Sequence, residues 1–492
     1  MTGLLIAGTS SDAGKSLVVT GLCRAARRRG LDVVPYKAQN MSNNSMVCPD
    51  GSEIGRAQYL QAAAAGVRPT SAMNPVLLKP GTDRRSFIVV RGRPDGVLEA
   101  GEYATGRRRL AEQAWGAYRE LADAHDLVLC EGAGSPAEIN LRAGDYVNMG
   151  LAREMDMPVV LVGDVDRGGV LASVYGTWAL LDDADRRMLA GYVINKFRGD
   201  LEILRPGLDE LTRRTGLPCL GVLSWLPDVW LDGEDSLALG GWPTHDAAAS
   251  QGSVSPDRPS GRIRVAVVAF PRISNATDVD ALAQEAGVDV AVTHDPATCA
   301  AADVLVLPGS RSTVDDLVWL RERGIADVVV HRAREGRTVL GICGGYQMLA
   351  EHIRDRADVE SGEVEAPGLG LLPVEVSFQA DKTLALPSGS WRGIPVGGYE
   401  IHHGRCDVVG DAEPFLDGCR RGPVWGTMWH GAFESDEFRR AWLAGVADDQ
   451  GIGWSPQPDR PGFAARRELM IDRLADAMAA ELDLDTLFGL AR

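Results

Sequence analysis

Two turns in this sequence place glycines around a residue able to do chemistry. "GTSSDAGKS", Gly8 to Ser16, follows the apolar run "GLLIAG" and opens the helical pattern "KSLVVTGLCRAARRRG". A glycine-rich turn between a strand and a helix offers backbone N–H groups and a helix N-terminus to phosphate oxygens. Lys15 is then placed to reach β and γ phosphates, and the Ser16 hydroxyl to ligate Mg²⁺. Gly8, Thr9, Asp12, Gly14, Lys15 and Ser16 are therefore the expected nucleotide-binding residues. Five residues separate Gly8 from Gly14, one more than the usual phosphate loop.

The second turn, "TVLGICGGYQML", Thr338 to Leu349, sets Cys343 among Gly341, Gly344 and Gly345. Such an elbow exposes its side chain at the sheet edge, and the helix N-terminus behind it favours a thiolate. The N–H of Gly344, with Gly309 from "LPGSRST", is the expected oxyanion hole. A cysteine nucleophile needs a base. His430 in "GTMWHGAF" offers one, in competition with His402 and His403 of "GYEIHHG".

Both turns need sheets to hold them. "GLLIAG", "LDVVPY", "DLVLCEG", "MPVVLVGD", "GYVINKF" and "PCLGVLSW" read as strands separated by helical stretches. Such apolar runs suit strands covered on both faces of a mainly parallel sheet, whose ligands sit at the strands' C-terminal ends. Residues 240–261, dense in Gly, Pro, Ser and Ala, read as a linker. A second alternating series follows, ending in "LLPVEVSF", "VGGYEIHHG" and "VWGTMWHGAF", which read as antiparallel additions to a parallel core. The fold class is α/β, in two domains with mainly parallel sheets covered by helices: residues 1–239 and 262–450. A C-terminal extension, 451–492, contains an amphipathic helix with Leu469, Ile471, Leu474 and Met478 along one face.

The net charge of −17 argues against a nucleic-acid or membrane-surface binder, both of which need a basic footprint. Eight scattered cysteines without C-x-x-C exclude a zinc ribbon or disulfide framework. With no leader-like N-terminus and no apolar run of spanning length, the expected setting is soluble and cytoplasmic. One basic group, Lys79, Arg84, Arg85, Arg91 and Arg93, stands out locally and is expected to face an anionic ligand in part.

The long loop at Gly8–Ser16 resembles that of the dethiobiotin synthetase-like branch of P-loop enzymes, as does "CEGAGSP", Cys130 to Pro136. That resemblance implies that Glu131 helps Ser16 hold Mg²⁺ and that Asn195 in "INKFRGD" recognises the nucleotide base; Glu53 or Asp50 is expected to complete the metal set. The Cys343 and His430 segments resemble a class I glutamine amidotransferase domain. Most members carry a Glu two residues after the His, where this chain has Ala432. The site is therefore a Cys–His dyad or uses Glu434.

One polar stretch remains, "KAQNMSNNS", Lys37 to Ser45, with six amides or hydroxyls in nine residues. Together with "SEIGRAQ", "NPVLLKP", "GDVDRGG" and "GGYEIHHG" it resembles the cobyric acid synthase family, in the same order along nearly the whole chain. The resemblance implies ATP- and L-glutamine-dependent amidation of four peripheral carboxylates of a corrinoid, adenosylcobyrinic acid a,c-diamide, through acyl phosphates. Lys37, Gln39, Asn40, Asn43 and Asn44 are then expected to hold the corrinoid. Asn and Gln both donate and accept, so they suit a group that changes from carboxylate to carboxamide. Two rivals share parts of the pattern: an a,c-diamide synthase, and a non-enzymatic P-loop switch with an inactive glutaminase-like domain. The order of amidation, the ammonia route and the oligomeric state are not encoded in any motif.

Overall fold

The computed structural model describes residues 2–81, 85–99, 107–227, 229–230, 261–356, 359–360 and 364–491. The linker read at 240–261 lies outside them except for Gly261, and so does Arg84. The six strands expected in the first half form one parallel sheet. Its order is Cys219–Ser224, Leu189–Phe197, Val159–Asp164, Gly3–Gly8, Leu127–Glu131, Val33–Tyr36. Leu4, Leu5 and Ile6 of the central strand are wholly buried, as burial on both faces of a parallel sheet requires. The C-terminal ends of the three strands Gly3–Gly8, Leu127–Glu131 and Val33–Tyr36 deliver the Gly8–Ser16 loop, Glu131 and Lys37 to one edge.

The second sheet runs Val288–Thr293, Ile263–Val268, Val304–Leu307, Thr338–Ile342, Val424–Thr427, then Gly418–Arg421 and Glu413–Phe415. The first five are parallel and the last two antiparallel. Val424–Thr427 is thus a member of the parallel core and not an antiparallel addition. Val374–Ala385 and Glu400–Val408 are antiparallel to each other, but lie in a separate sheet with His352–Asp355 and Val364–Pro367. "KAQNMSNNS" is also more ordered than a turn. Gln39–Met41 pairs with Val76–Pro80, and Ser45–Val47 pairs with Glu53–Gly55.

The C-terminal tail returns to the first sheet. In the helix Phe463–Glu481, Ile471, Leu474, Ala475 and Met478 are buried, while Leu469 is 55% exposed. Two residues advance a helix by about 200°, so Leu469 falls opposite Ile471 and not on its face. The buried stripe lies on the helix Lys15–Arg28, where a Cβ on Gly21 would come within 2.8 Å of Met478 Cγ. Arg24 of that helix donates to Glu468 and Asp472, each at 2.6 Å. This helix therefore braces the element that carries Lys15. The two halves of the chain also share apolar packing, because Tyr399 and Ile401, at the start of Glu400–Val408, join the hydrophobic cluster beneath the first sheet.

Truncating Leu474 to Ala should remove about 2–5 kcal/mol, the usual cost of a buried leucine's cavity. Leu469→Ala should change stability by no more than about 0.5 kcal/mol. Urea midpoints of the two variants measured side by side check this; equal shifts would contradict the docking face.

Candidate functional site

At the first sheet's edge, Gly14 adopts φ 90 and ψ 27 ahead of the helix Lys15–Arg28, a conformation open to glycine. A Cβ there would lie 2.1 Å from Asn195 Nδ2. The Lys15 ammonium is buried and donates to the carbonyls of Ser10 at 3.0 Å, Ser11 at 2.9 Å and Gly134 at 3.3 Å. Gly8 lies beneath it, with no room for a Cβ between Ser10 O and Lys15 Nζ. Ser16 Oγ donates to Glu131 Oε1 at 2.8 Å, which brings together the two residues expected to share Mg²⁺. One hydroxyl and one carboxylate beside a phosphate loop fit that ion, which keeps several waters and takes phosphate oxygens as further ligands. Among the described residues no cluster of three or more His, Cys, Asp or Glu side chains is placed to hold a metal.

Three expectations around the loop change. Thr9 spends its N–H on Val162 O at 3.0 Å, continuing the strand instead of facing phosphate. Asn195 donates its amide to Ala13 O at 3.0 Å and is 3% exposed. It supports the loop from two strands away and is not open to a base. Asp12 pairs through its side chain with Arg167 at 2.9 Å, while its carbonyl accepts from Lys196 at 2.8 Å.

Beside the loop lies a cleft of about 350 Å³ lined by Ser11, Lys15, Lys37, Gln39, Asn40 and Met41 on one side. Gly134, Arg142, Tyr146 and Asn148 line the other. Lys37 Nζ donates to Glu131 Oε1 at 2.8 Å, and Gln61 Nε2 to Glu131 Oε2 at 2.6 Å. Gln39 Oε1 accepts from the Tyr146 hydroxyl, and Asn40 Nδ2 donates to Gln58 at 3.2 Å. Asn43 and Asn44 do not join this cleft. Asn43 donates to Pro80 O at 3.2 Å, and Asn44 Oδ1 accepts from the Ala276 N–H at 3.1 Å, on the other half of the molecule. A strand advances roughly 3.3 Å per residue, so four residues beyond Asn40 the chain has left the cleft.

Glu53 departs furthest from expectation. It has no solvent exposure and is filled by Lys79 Nζ at 2.5 Å, Lys382 Nζ at 2.5 Å and Ser45 Oγ at 2.8 Å. Two of those three donors are ammonium groups, whose charge opposes a metal ion at the same carboxylate. Burial opposes its ionisation, but Lys382 and Lys79 outweigh that and hold the carboxyl far below the usual range. Burial brings Lys382 down to about 7 against the pull of Glu53. Lys79 is thereby removed from the basic group, as is Arg91, which pairs with Glu120 at 2.7 Å.

At the second sheet, Cys343 sits at φ 50 and ψ −109 between the strand Thr338–Ile342 and the helix Gly344–Met348. A non-glycine residue at positive φ is strained, as at a nucleophile elbow. Gly309 and Gly344 meet there. A Cβ on Gly309 would approach His430 Cε1 at 3.1 Å, and one on Gly344 would approach Ser310 N at 2.7 Å. His430 Nδ1 bonds Asp278 Oδ2 at 2.6 Å, and the Gly431 N–H donates to Asp278 Oδ1 at 2.8 Å. Burial disfavours the imidazolium, but the Asp278 carboxylate and the sulfur of Cys343 outweigh it and raise His430 to about 10. Tyr399 stacks on the ring, its centroid 5.3 Å away.

Asp278 is the orienting acid, a residue absent from the sequence expectation. Glu434 instead bonds Arg56 at 2.6 Å and Arg467 at 3.1 Å. His402 and His403 line a small cavity of about 30 Å³ with Cys343, Lys79, Arg311, Glu360 and Lys382. His403 donates from Nδ1 to Gln379 O at 3.1 Å, and burial lowers it to about 4. Of the three, His430 has the close carboxylate, Asp278 at 2.6 Å, whereas Glu400 stands 3.5 Å from His402 Nε2.

Comparison with known proteins adds to this geometry. Residues 4–237 match the CobQ/CobB/MinD/ParA nucleotide binding domain, and residues 264–438 match the CobB/CobQ-like glutamine amidotransferase domain. The cobyric acid synthase of Cutibacterium acnes is 70% identical over 494 residues, covering 100% of both chains. Those of Mycolicibacterium gilvum and Mycolicibacterium vanbaalenii are 53% and 54% identical, each covering 100% of this chain and 97% of the relative. No described helix is long and apolar enough to cross a membrane.

Because Asp278 is a leading cause of the raised His430 value, Asp278→Asn should make the ring lose its proton at lower pH. In the unaltered protein the imidazolium should persist to about pH 10. An NMR titration of ¹³C-labelled histidine, assigned with His430→Gln, measures this. An unmoved midpoint in Asp278→Asn would contradict the assignment.

Proposed function

The chain belongs to the cobyric acid synthase family, and from that premise we propose how its two sites divide a glutamine- and ATP-dependent amidation in cobalamin biosynthesis. The synthetase unit, residues 1–239, binds ATP at Gly8–Ser16 and a corrinoid carboxylate in the adjoining cleft. The amidotransferase unit, residues 262–450, releases ammonia from L-glutamine at Cys343. The observation that carries this reading is one chain holding both a lysine-capped phosphate loop and a buried Cys–His–Asp arrangement.

A carboxylate resists attack by ammonia because its leaving group would be oxide. Transfer of the γ-phosphoryl group from ATP to a substrate carboxylate oxygen gives ADP and an acyl phosphate. Ammonia then adds to the acyl carbon, phosphate departs, and a carboxamide remains. Lys15 is placed for the β and γ phosphates, and Ser16 with Glu131 would hold Mg²⁺, which neutralises phosphate charge in such transfers. Lys37, Gln39 and Asn40 line the cleft where the carboxylate would lie. A 350 Å³ cleft suits the phosphates and one acid arm. The macrocycle itself would rest on the rim, where Met41 and Leu141 are each 47% exposed. Exposed apolar side chains grouped at a polar cleft suit a ligand with apolar faces. The substrate is adenosylcobyrinic acid a,c-diamide, with four carboxylates to convert.

At the other site the Cys343 thiolate attacks the glutamine δ-amide carbon. The N–H groups near Gly344 and Ser310 face the developing oxyanion. His430 gives its proton to the departing ammonia, and a water hydrolyses the thioester to glutamate. The Arg311–Glu360 pair, 3.2 Å apart beside Cys343, supplies opposite charges for glutamine's α-carboxylate and α-ammonium.

Cys343→Ala should abolish glutamine-driven amidation while ammonium salts still support it. Lys15→Ala should lose at least 100-fold in turnover with either nitrogen source. Mass analysis of the corrinoid after incubation with ATP reads both, and counts the carboxylates converted. Loss of both activities in Cys343→Ala would assign Cys343 to structure.

A further inference from the structure

The stretch Lys37–Ser45 belongs to the synthetase unit, yet its end is bound into the amidotransferase site. The Ser45 N–H donates to Asn275 Oδ1 at 2.9 Å, and the Ala276 N–H donates to Asn44 Oδ1 at 3.1 Å. Each asparagine thus accepts from the backbone of the opposite unit. All four residues are buried, Asn44 at 3% and Asn275 at 2% exposure. Buried N–H groups need such acceptors, and removing one leaves its partner unsatisfied.

What this pair holds is the segment that carries the orienting acid. Asn275 lies in the left-handed region, φ 49 and ψ 43, and starts the short helix Ala276–Val279. Asp278 is in that helix, and its N–H donates back to Asn275 O at 3.0 Å. A residue in that region persists where its surroundings over-determine it, and here the surroundings include Ser45 of the other unit. Asp278 in turn fixes both His430 Nδ1 and the Gly431 N–H.

We propose that Asn44 and Asn275 are positioning residues for glutamine hydrolysis: they fasten the Asp278 helix to the synthetase unit and so keep His430 aimed at Cys343. This rests on the reading of Cys343, His430 and Asp278 as the glutaminase. Asn44 acts through the Asp278 segment, whereas Asn275 also lines the small cavity that it shares with Cys343, so Asn44 gives the cleaner test. The amidotransferase site is therefore completed by a segment whose other end lines the phosphate cleft. Eight residues of chain join Lys37 to Ser45, which limits their Cα separation to about 29 Å.

The test compares full-length wild type, Asn44→Ala, Asn275→Ala and the double variant with ATP and corrinoid, using glutamine or ammonium chloride. In Asn44→Ala, kcat for glutamine hydrolysis should fall about tenfold with KM for glutamine within twofold. Ammonium-driven amidation should stay within twofold of wild type, which also reports an intact fold. The double variant should lose little more than the worse single one, because both substitutions release the same segment. Unchanged kcat for glutamine in Asn44→Ala overturns the proposal. A parallel fall with glutamine and ammonium overturns it too, since the role would then be general folding. A wild type without glutamine hydrolysis overturns the underlying glutaminase reading instead.

Discussion

Glu131 has no exposed surface and ends a central strand of a parallel sheet. A carboxylate removed from water must be matched by donors, and three different elements supply them. Ser16 comes from the helix that follows the phosphate loop, Lys37 from the end of the neighbouring strand, and Gln61 from the helix Arg56–Ala65. Deleting one member of a buried ion pair typically costs about 3–5 kcal/mol, because the other charge stays buried. The loop, the start of the polar stretch and the helix Arg56–Ala65 are therefore fixed relative to one another by a single side chain. Gly14, Lys15 and the cleft inherit their geometry from it.

Glu53 repeats the device at the boundary between the two halves of the chain, with one difference. Its lysines come from opposite sides: Lys79 from the strand Val76–Pro80 and Lys382 from Val374–Ala385. One carboxylate between two ammonium groups carries an excess charge that burial penalises. Burial, which lowers Lys382 to about 7, works against that excess. The cluster is a seam and not a metal site, and it explains why two units with separate sheets share one packed boundary.

The parallel sheets and the two glycine turns were legible because they depend on local pattern. Apolar runs of five or six residues, and glycines at Gly14 and Gly344, announce themselves in any reading frame of the chain. Asp278 was not legible. It lies 152 residues before His430, and "SNATDVDAL" carries no spacing that separates Asp278 from Asp280. The missing glutamate after His430 pointed to a dyad or to Glu434, but sequence proximity is a poor guide when Arg56 and Arg467 compete for that carboxylate. The amide-rich stretch was read as one functional unit because its residue types are alike. Extended backbone divides it instead: Lys37, Gln39 and Asn40 face the cleft, whereas Asn44 and Ser45 reach the amidotransferase side. Leu469 failed for a simpler reason, the 3.6-residue period of a helix.

Chemistry that moves ammonia sets a physical requirement on how two such sites are joined. Neutral ammonia is the nucleophile, and at neutral pH bulk water converts nearly all of it to ammonium. Release and capture must therefore occur close together and away from solvent. The boundary has the properties this demands. Tyr399 and Ile401 join the apolar core of the first sheet, and the Glu53 cluster and the paired asparagines bind the two units together there. On the proposed reading, His430 beside Asp278 supplies the proton where the amide nitrogen leaves. A polar stretch that is bound at both ends then has a mechanical meaning. It sets the separation of the two reactions by its own short length, and either site can shift only by straining buried hydrogen bonds in the other.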